Sequence, residues 1–349
     1  SILGIAWVIS TAKDESIFKF MTDTEGEYIE ALGGNLTRLG NDLLKTETYL
    51  NGEKFFATYA SAQEVVNGTF QPSGTDYIIH VLGDRQRENY LEAFENGDFK
   101  YTATIREEYT DWESWAKIAN WFFYRKLYQN WHPVYANTYE LYWARNEGNN
   151  INQISSEFSV SVFDVDDSTK KIIVQCKNLV NGMADVYIDY CVDKKENRSS
   201  IINIQQMLKV ENTGTIYAQN GATYESNYLR SKSAEYIPIS VVNGYGEVTL
   251  TSNPTRSTKL TLNQVECDCI YMVMSDYIVL KEIQPEKNYF SVSNITKYIN
   301  AINGITVAKF GKKEYTVTHT EITDDEIQIY VEQPIENNDS LENILFIRR

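Results

Sequence analysis

The sequence predicts an α+β multidomain chain: an N-terminal α/β (Rossmann-like) small sheet with helices, followed by an antiparallel β-sandwich region. Three observations lead to it. The first 145 residues alternate helix-period and strand-period segments, as a helix-covered sheet requires. From Glu157 onward the apolar period switches to two, in short runs between turn residues, as packed antiparallel sheets require. Between these regions lies the polar, Asn-rich stretch "NEGNNINQISS", from Asn146 to Ser156. The chain therefore divides into an α/β domain at 1–148, a β-sandwich domain at 157–278 and a β-rich C-terminal module at 279–349. That last module is either separate or the completion of the sandwich.

From Glu27 to Leu50 the residues Ile29, Leu32, Leu36, Leu39, Leu43 and Leu50 recur every three or four positions where they cluster, which predicts one amphipathic helix. "KFFATYA" predicts a strand, and "SAQEVVNG" a short helix stopped at Asn67-Gly68. The nearly unbroken apolar run "DYIIHVLG" predicts a strand buried on both faces, as in a parallel sheet. Asp84 is the expected N-cap of the next helix. Tyr90, Leu91 and Phe94 are its inner face and Asn96-Gly97 its end. "KYTATIREEY" predicts another strand. A capping box at Thr110 to Glu113 opens a long helix running to Trp131, and Pro133 stops it. "TYELYWAR" closes the α/β set. Beyond the boundary, "EFSVSVFDV", "KKIIVQC", "ADVYIDYCV", "EYIPISVV", "GEVTLTS", "TKLTLNQV" and "CIYMVMS" predict strands. "GITVAKF", "KEYTVTHTEI" and "DEIQIYVEQ" continue them after a helix-like insertion, "NITKYINAI".

Composition narrows the function. A net charge of −16 with no clustered Lys/Arg stripe argues against nucleic acid, whose binding requires neutralising phosphates. The four cysteines, Cys176, Cys191, Cys267 and Cys269, form no CxxC motif, and with only three histidines a zinc site has few candidate ligands. No metal is expected. The absence of GxGxxG and GxxxxGK[ST] leaves a dinucleotide or NTP loop without support, so no cofactor is expected either. Ser61 lies between a strand and a helix, yet Tyr59 and Gln63 stand where a nucleophile elbow needs glycine. His80 reads as a buried neutral imidazole and Asp84 as a cap, with a site at the end of that strand as the alternative.

The strongest local signal is aromatic. Five of the six Trp fall between Trp112 and Trp143, together with Tyr124, Tyr128, Tyr135 and Tyr142. One helix face can bury only part of this set. The remainder predicts an aromatic surface of Trp112, Tyr124, Trp131, Tyr135 and Trp143 beside Arg125 and His132, on which sugar rings could stack. A membrane-interface belt and an aromatic core between domains are the alternatives.

The run from Phe55 to Phe94, followed by "TIREEYTDWESWAKIANWFFYRKLYQNWHPVYANTYELYW", resembles the extracytoplasmic C-terminal region of bacterial multi-pass membrane proteins of the glycosyltransferase-C kind. The resemblance covers roughly residues 1–145 and is one of layout. It implies an extracytoplasmic, cell-surface location, with the chain anchored through a preceding membrane segment. The apolar opening "SILGIAWVIS" fits either the outer end of such a segment or a buried first strand. The family's catalytic carboxylates lie between membrane helices, so the resemblance assigns no catalytic residue here. The expected function is non-catalytic binding of glycan or cell-envelope polymer. The alternatives are a carbohydrate-active enzyme with its site between the domains, and a surface spacer.

Overall fold

The computed structural model describes residues 27–36, 40–59, 62–68, 77–105, 113–137, 140–147, 152–154, 156–180, 182–195, 205–213, 226–272, 274–279, 282–284, 287–293, 307–310, 313–323, 326–335 and 343–347. The opening apolar run, Ser61, the capping box at its Thr110 end and the "NITKYINAI" insertion lie outside them. The architecture is predominantly β, in several antiparallel sheets.

A short hairpin, β1 (Glu27–Ile29) and β2 (Gly34–Leu36), precedes helix α1 (Gly40–Leu50). A single helix over 27–50 was the expectation. Gly33 instead adopts φ +67°, a left-handed conformation that ends a 3-10 turn and reverses the chain. Next come β3 (Phe55–Ala57), α2 (Ala62–Val66), α3 (Asp84–Asn96) and β4 (Tyr101–Ile105). Helices α4 (Glu113–Ala119) and α5 (Trp121–Asn130) follow, then β5 (Trp131–Ala136) and β6 (Glu140–Arg145). The long helix expected to reach Trp131 is thus two, joined at Asn120, whose side-chain amide bonds back to the Ala116 carbonyl at 2.9 Å. Pro133 does not stop the helix. It lies inside β5, at the edge of the sheet, where a missing N–H is tolerated.

Strands β3 to β6 form one sheet in the order β3-β4-β6-β5. Only β3 and β4 are parallel; β4/β6 and β6/β5 are antiparallel. The expected strand at "DYIIHVLG" is absent. Ile78–His80 is a 3-10 turn in which Ile78 and Val81 are buried while Leu82 is 76% exposed. An apolar run this short cannot by itself distinguish burial on alternate residues from burial one turn apart. α1 covers one face of the sheet, with Leu50 packed among Phe55, Tyr101 and Tyr142. The opposite face packs against α3 and α5 through Phe56, Tyr90, Phe94 and Phe123.

Beyond residue 157 come β7 (Phe158–Asp166), β8 (Thr169–Cys176), β9 (Gly182–Lys194), β10 (Met207–Thr213), β11 (Ser226–Arg230), β12 (Lys232–Val241), β13 (Tyr245–Asn253) and β14 (Thr258–Met272). They form a five-stranded sheet, β11-β10-β13-β8-β7, and a three-stranded sheet, β12-β9-β14. The two sheets share one core. Ile172, Val174, Val210 and Leu250 come from the first; Val186, Ile188, Ile239 and Ile270 come from the second. The period-2 rule places alternate β9 residues, Ala184, Val186, Ile188 and Tyr190, in that core. Met183 and Asp185 then point the other way, toward the helices. "TKLTLNQV" and "CIYMVMS", read as two strands, are largely one long β14 with a register shift between Cys267 and Cys269. All four cysteines are free.

A separate sheet contains β15 (Met274–Val279), β16 (Glu282–Gln284), β17 (Tyr289–Ser293), β18 (Val307–Phe310), β19 (Lys313–Ile322), β20 (Glu326–Val331) and β21 (Asn343–Ile347). Its order is β15-β21-β18-β19-β20-β17-β16 and its pairings are antiparallel. Among the described residues, no helix is long and apolar enough to cross a membrane.

Candidate functional site

Helix α5 lies between two sheets. On one side Phe123 meets Tyr90 and Phe94 of α3, edge-on at 5.6 and 4.8 Å between ring centres. On the other side Tyr128 stacks on Tyr271 of β14 at 5.7 Å, and Trp121 lies 6.4 Å from the same ring. The aromatic segment is therefore covered from both sides, which its own periodicity could not show. Trp131 is 1% exposed, Tyr124 2% and Trp143 3%. Trp131 stacks on Phe94 at 5.2 Å under the Arg145 guanidinium, and the Trp143 indole N–H donates to Thr104 at 3.0 Å. These three rings are interlayer core, and the expected stacking shelf does not include them. A saccharide could reach them only by displacing the packing that holds the layers together.

The remaining predicted site residues do not converge. Trp112 lies outside the described residues. Tyr135 is half-buried and stacks on Tyr49 at 4.2 Å. The His132 ring shares a hydrogen bond with the Asn146 side-chain oxygen at 2.9 Å. His80, expected inside, is exposed because the strand that was to bury it is a turn. Asp84 is not the N-cap, a position Gly83 takes; it is the first residue of α3, and its carboxylate pairs with Arg230 of β11.

Arg125 is the predicted residue that reaches a recess. Its guanidinium grips Asp185 of β9, with Nη2 donating to Oδ2 at 2.8 Å and Nε lying 3.1 and 3.2 Å from the two oxygens. The Trp121 indole N–H donates to Asp185 Oδ1 at 2.8 Å. Both oxygens of this fully buried carboxylate are thus occupied. Arg125 also lies over the Tyr236 ring at 3.6 Å, and Asp268, the residue skipped in the β14 register, stands 3.9 Å away. Burial works against the Arg125 charge, and the bonds to Asp185 more than offset it, so its pKa is held above the ordinary value. The Asp268 carboxylate beside the Tyr236 hydroxyl, with burial adding, pushes that phenol up.

Against this clasp opens a cleft of about 210 Å³. Leu91 of α3, Phe122 of α5, Leu229 of β11 and Tyr236 of β12 supply its apolar and aromatic wall, and Arg87, Arg125, Lys126 and Glu235 its charges. Phe122, Arg125 and Lys126 are spaced i, i+3 and i+4, so one helix face supplies all three. The spacing of Arg87 before Tyr90 and Leu91 was the signal for its inward position, and the sequence reading passed it over. Tyr236 and Glu235 carried no signal, since β12 meets α5 only through the fold. Among the described residues, no group of three or more His, Cys, Asp or Glu side chains could hold a metal ion.

No protein family and no curated protein matches the sequence. Among solved structures, the chain aligns with the one described as "Crystal structure of S. aureus TarS" and not with that one alone, at 11% identity and a TM-score of 0.15. That alignment covers 91% of this chain and 61% of the other, so the chain spans less than two thirds of that protein's length. A superposition this poor carries no argument about fold or function.

Proposed function

We propose that this chain is the extracytoplasmic, non-catalytic region of a membrane-anchored bacterial protein of the glycosyltransferase-C kind. Its role is to bind glycan or cell-envelope polymer in the cleft between the helices and the three-stranded sheet. The observation that carries this reading is the cleft wall: two half-buried aromatic rings, Phe122 and Tyr236, flanked by hydrogen-bonding side chains in a concave site. The reading departs from the sequence expectation in moving recognition away from Trp131 and Trp143. Part of the same proposal is that the four-stranded sheet is a reduced Rossmann-like unit. Its parallel β3/β4 pair and its helices on both faces support this.

The non-catalytic reading rests on the carboxylates. Asp185 and Asp268 bracket Arg125, a disposition that could suggest a pair for glycoside chemistry. Asp185, however, is sealed from solvent and has both oxygens filled by Trp121 and Arg125, so it can neither give a proton to a substrate nor attack one. Among the described residues of the cleft wall, Glu235 is the single carboxylate. A glycan-array screen of the wild type beside Phe122→Ala tests the reading. Binding by the wild type that falls at least tenfold in the variant is expected. Binding that persists unchanged would place recognition elsewhere, and an array with no binding at all would remove the glycan reading.

A further inference from the structure

We infer that the ligand of this cleft carries an anionic oxygen group, a carboxylate or a phosphate, which docks on Arg87; the inference rests on the cleft being the binding site proposed above. The charges of the cleft wall carry the argument. Arg125 is neutralised by Asp185 at 2.8 Å. Lys126 has Glu95 at 3.5 Å. Glu235 accepts from Arg230 at 3.2 Å and from Ser233 at 3.0 Å. Arg87 differs from all of these. Its guanidinium lies 5.1 Å over the Phe122 ring. Its Nε atom is buried without a hydrogen-bond partner, and no carboxylate among the described residues pairs with it. A buried donor on a cation is costly to leave empty, and the planar guanidinium fork is matched by two oxygens of one carboxylate or phosphate.

The surroundings fix the rest of the ligand. A volume of about 210 Å³ is below the usual range for a whole drug-sized molecule, so the cleft takes one unit of a longer chain. Phe122 and Leu91, beside Arg87, offer that unit an apolar wall, which suits the C–H face of a sugar ring bearing an acidic substituent. The protein's net charge is −16, so an acidic polymer is repelled by the molecule as a whole and accepted where a cation stands uncompensated. Attraction confined to one recess gives selectivity rather than general adhesion.

Calorimetric titration of the full chain tests this with paired probes of one body and two charges. Oligogalacturonate is set against its methyl ester, and glucose 6-phosphate against glucose. At least tenfold tighter binding of an acidic member is expected, weakening as salt is raised. Arg87→Gln should reduce it to the level of the neutral partner, and Arg87→Lys, which keeps the charge and loses the fork, should fall between. Which acidic probe wins decides between carboxylate and phosphate. Equal binding of acidic and neutral members, unchanged in Arg87→Gln but lost in Phe122→Ala, would overturn the anionic ligand and leave the cleft reading standing. Failure of every probe, neutral and acidic, would overturn both.

Discussion

Arg125 and Arg87 reach the same seam from neighbouring helices, and each lies over an aromatic ring. Arg125 sits 3.6 Å above Tyr236 and closes on the buried Asp185; Arg87 sits 5.1 Å above Phe122 and meets no carboxylate among the described residues. The difference separates two jobs. A buried, fully bonded ion pair fixes how the helices lie on the three-stranded sheet, since moving either partner would leave a charge stranded in the interior. A guanidinium with an empty buried donor fixes nothing in the protein and can be satisfied from outside. Neighbouring side chains of one chemical type are thus a clasp and a docking point, according to what faces them.

Breaking the clasp should have the largest effect. Asp185→Ala strands the Arg125 charge and the Trp121 N–H, and urea unfolding should show a loss of about 3–5 kcal/mol. Arg87→Gln should change stability by no more than about 0.5 kcal/mol. A comparable loss from both would abolish the distinction. Trp131→Ala, by removing a ring packed between Phe94 and Arg145, should also cost about 3–5 kcal/mol. Trp143→Phe, which mainly loses the bond to Thr104, should cost about 1–3 kcal/mol. Both variants should lose ligand only to the extent that they unfold. A folded Trp131→Ala protein that binds nothing would return that ring to the site.

Much of the fold was legible because local rules governed it. α3 from Asp84 to Asn96 and the strands β8, β9, β12 and β13 follow from apolar period and turn residues alone. The misses have physical causes. Gly33 turned a helix-like pattern into a hairpin, and Asn120 divided a helix whose apolar spacing runs straight through it. "DYIIHVLG" offered a strand's composition with a turn's burial. β10 and β11 passed unread, because Met207–Thr213 and Ser226–Arg230 show weak alternation; β10 depends on β13 for pairing and β11 on β10. The site was less legible still. Arg125 could be picked out of the aromatic segment, but its partner Asp185 is 60 residues on, and nothing local announces that β9 turns it toward a helix. The same long-range cover buried the rings of Trp131 and Trp143, whose number alone had suggested a surface.

A smaller effect sharpens the picture of the β14 side of the seam. Burial, with the Cys269 thiol next in effect, pushes the Cys267 thiol up to about 12, so it stays neutral in the folded chain. A thiol raised in this way contributes stability fully below its unfolded value, about 8.5, and loses it as pH rises toward 12. Stability should therefore fall over that interval, and Cys267→Ser should flatten part of the decline in pH-dependent unfolding. An identical alkaline slope in wild type and variant would show that this thiol is not held neutral by the fold.

The interlayer clasp is tested most directly by a double-mutant cycle in urea on Asp185→Leu and Arg125→Met. If the pair is a closed buried contact, the double variant is more stable than Asp185→Leu alone, because removing both charges leaves none stranded. Losses that simply add would contradict it, showing that the two side chains act independently and that the layers are held by something else.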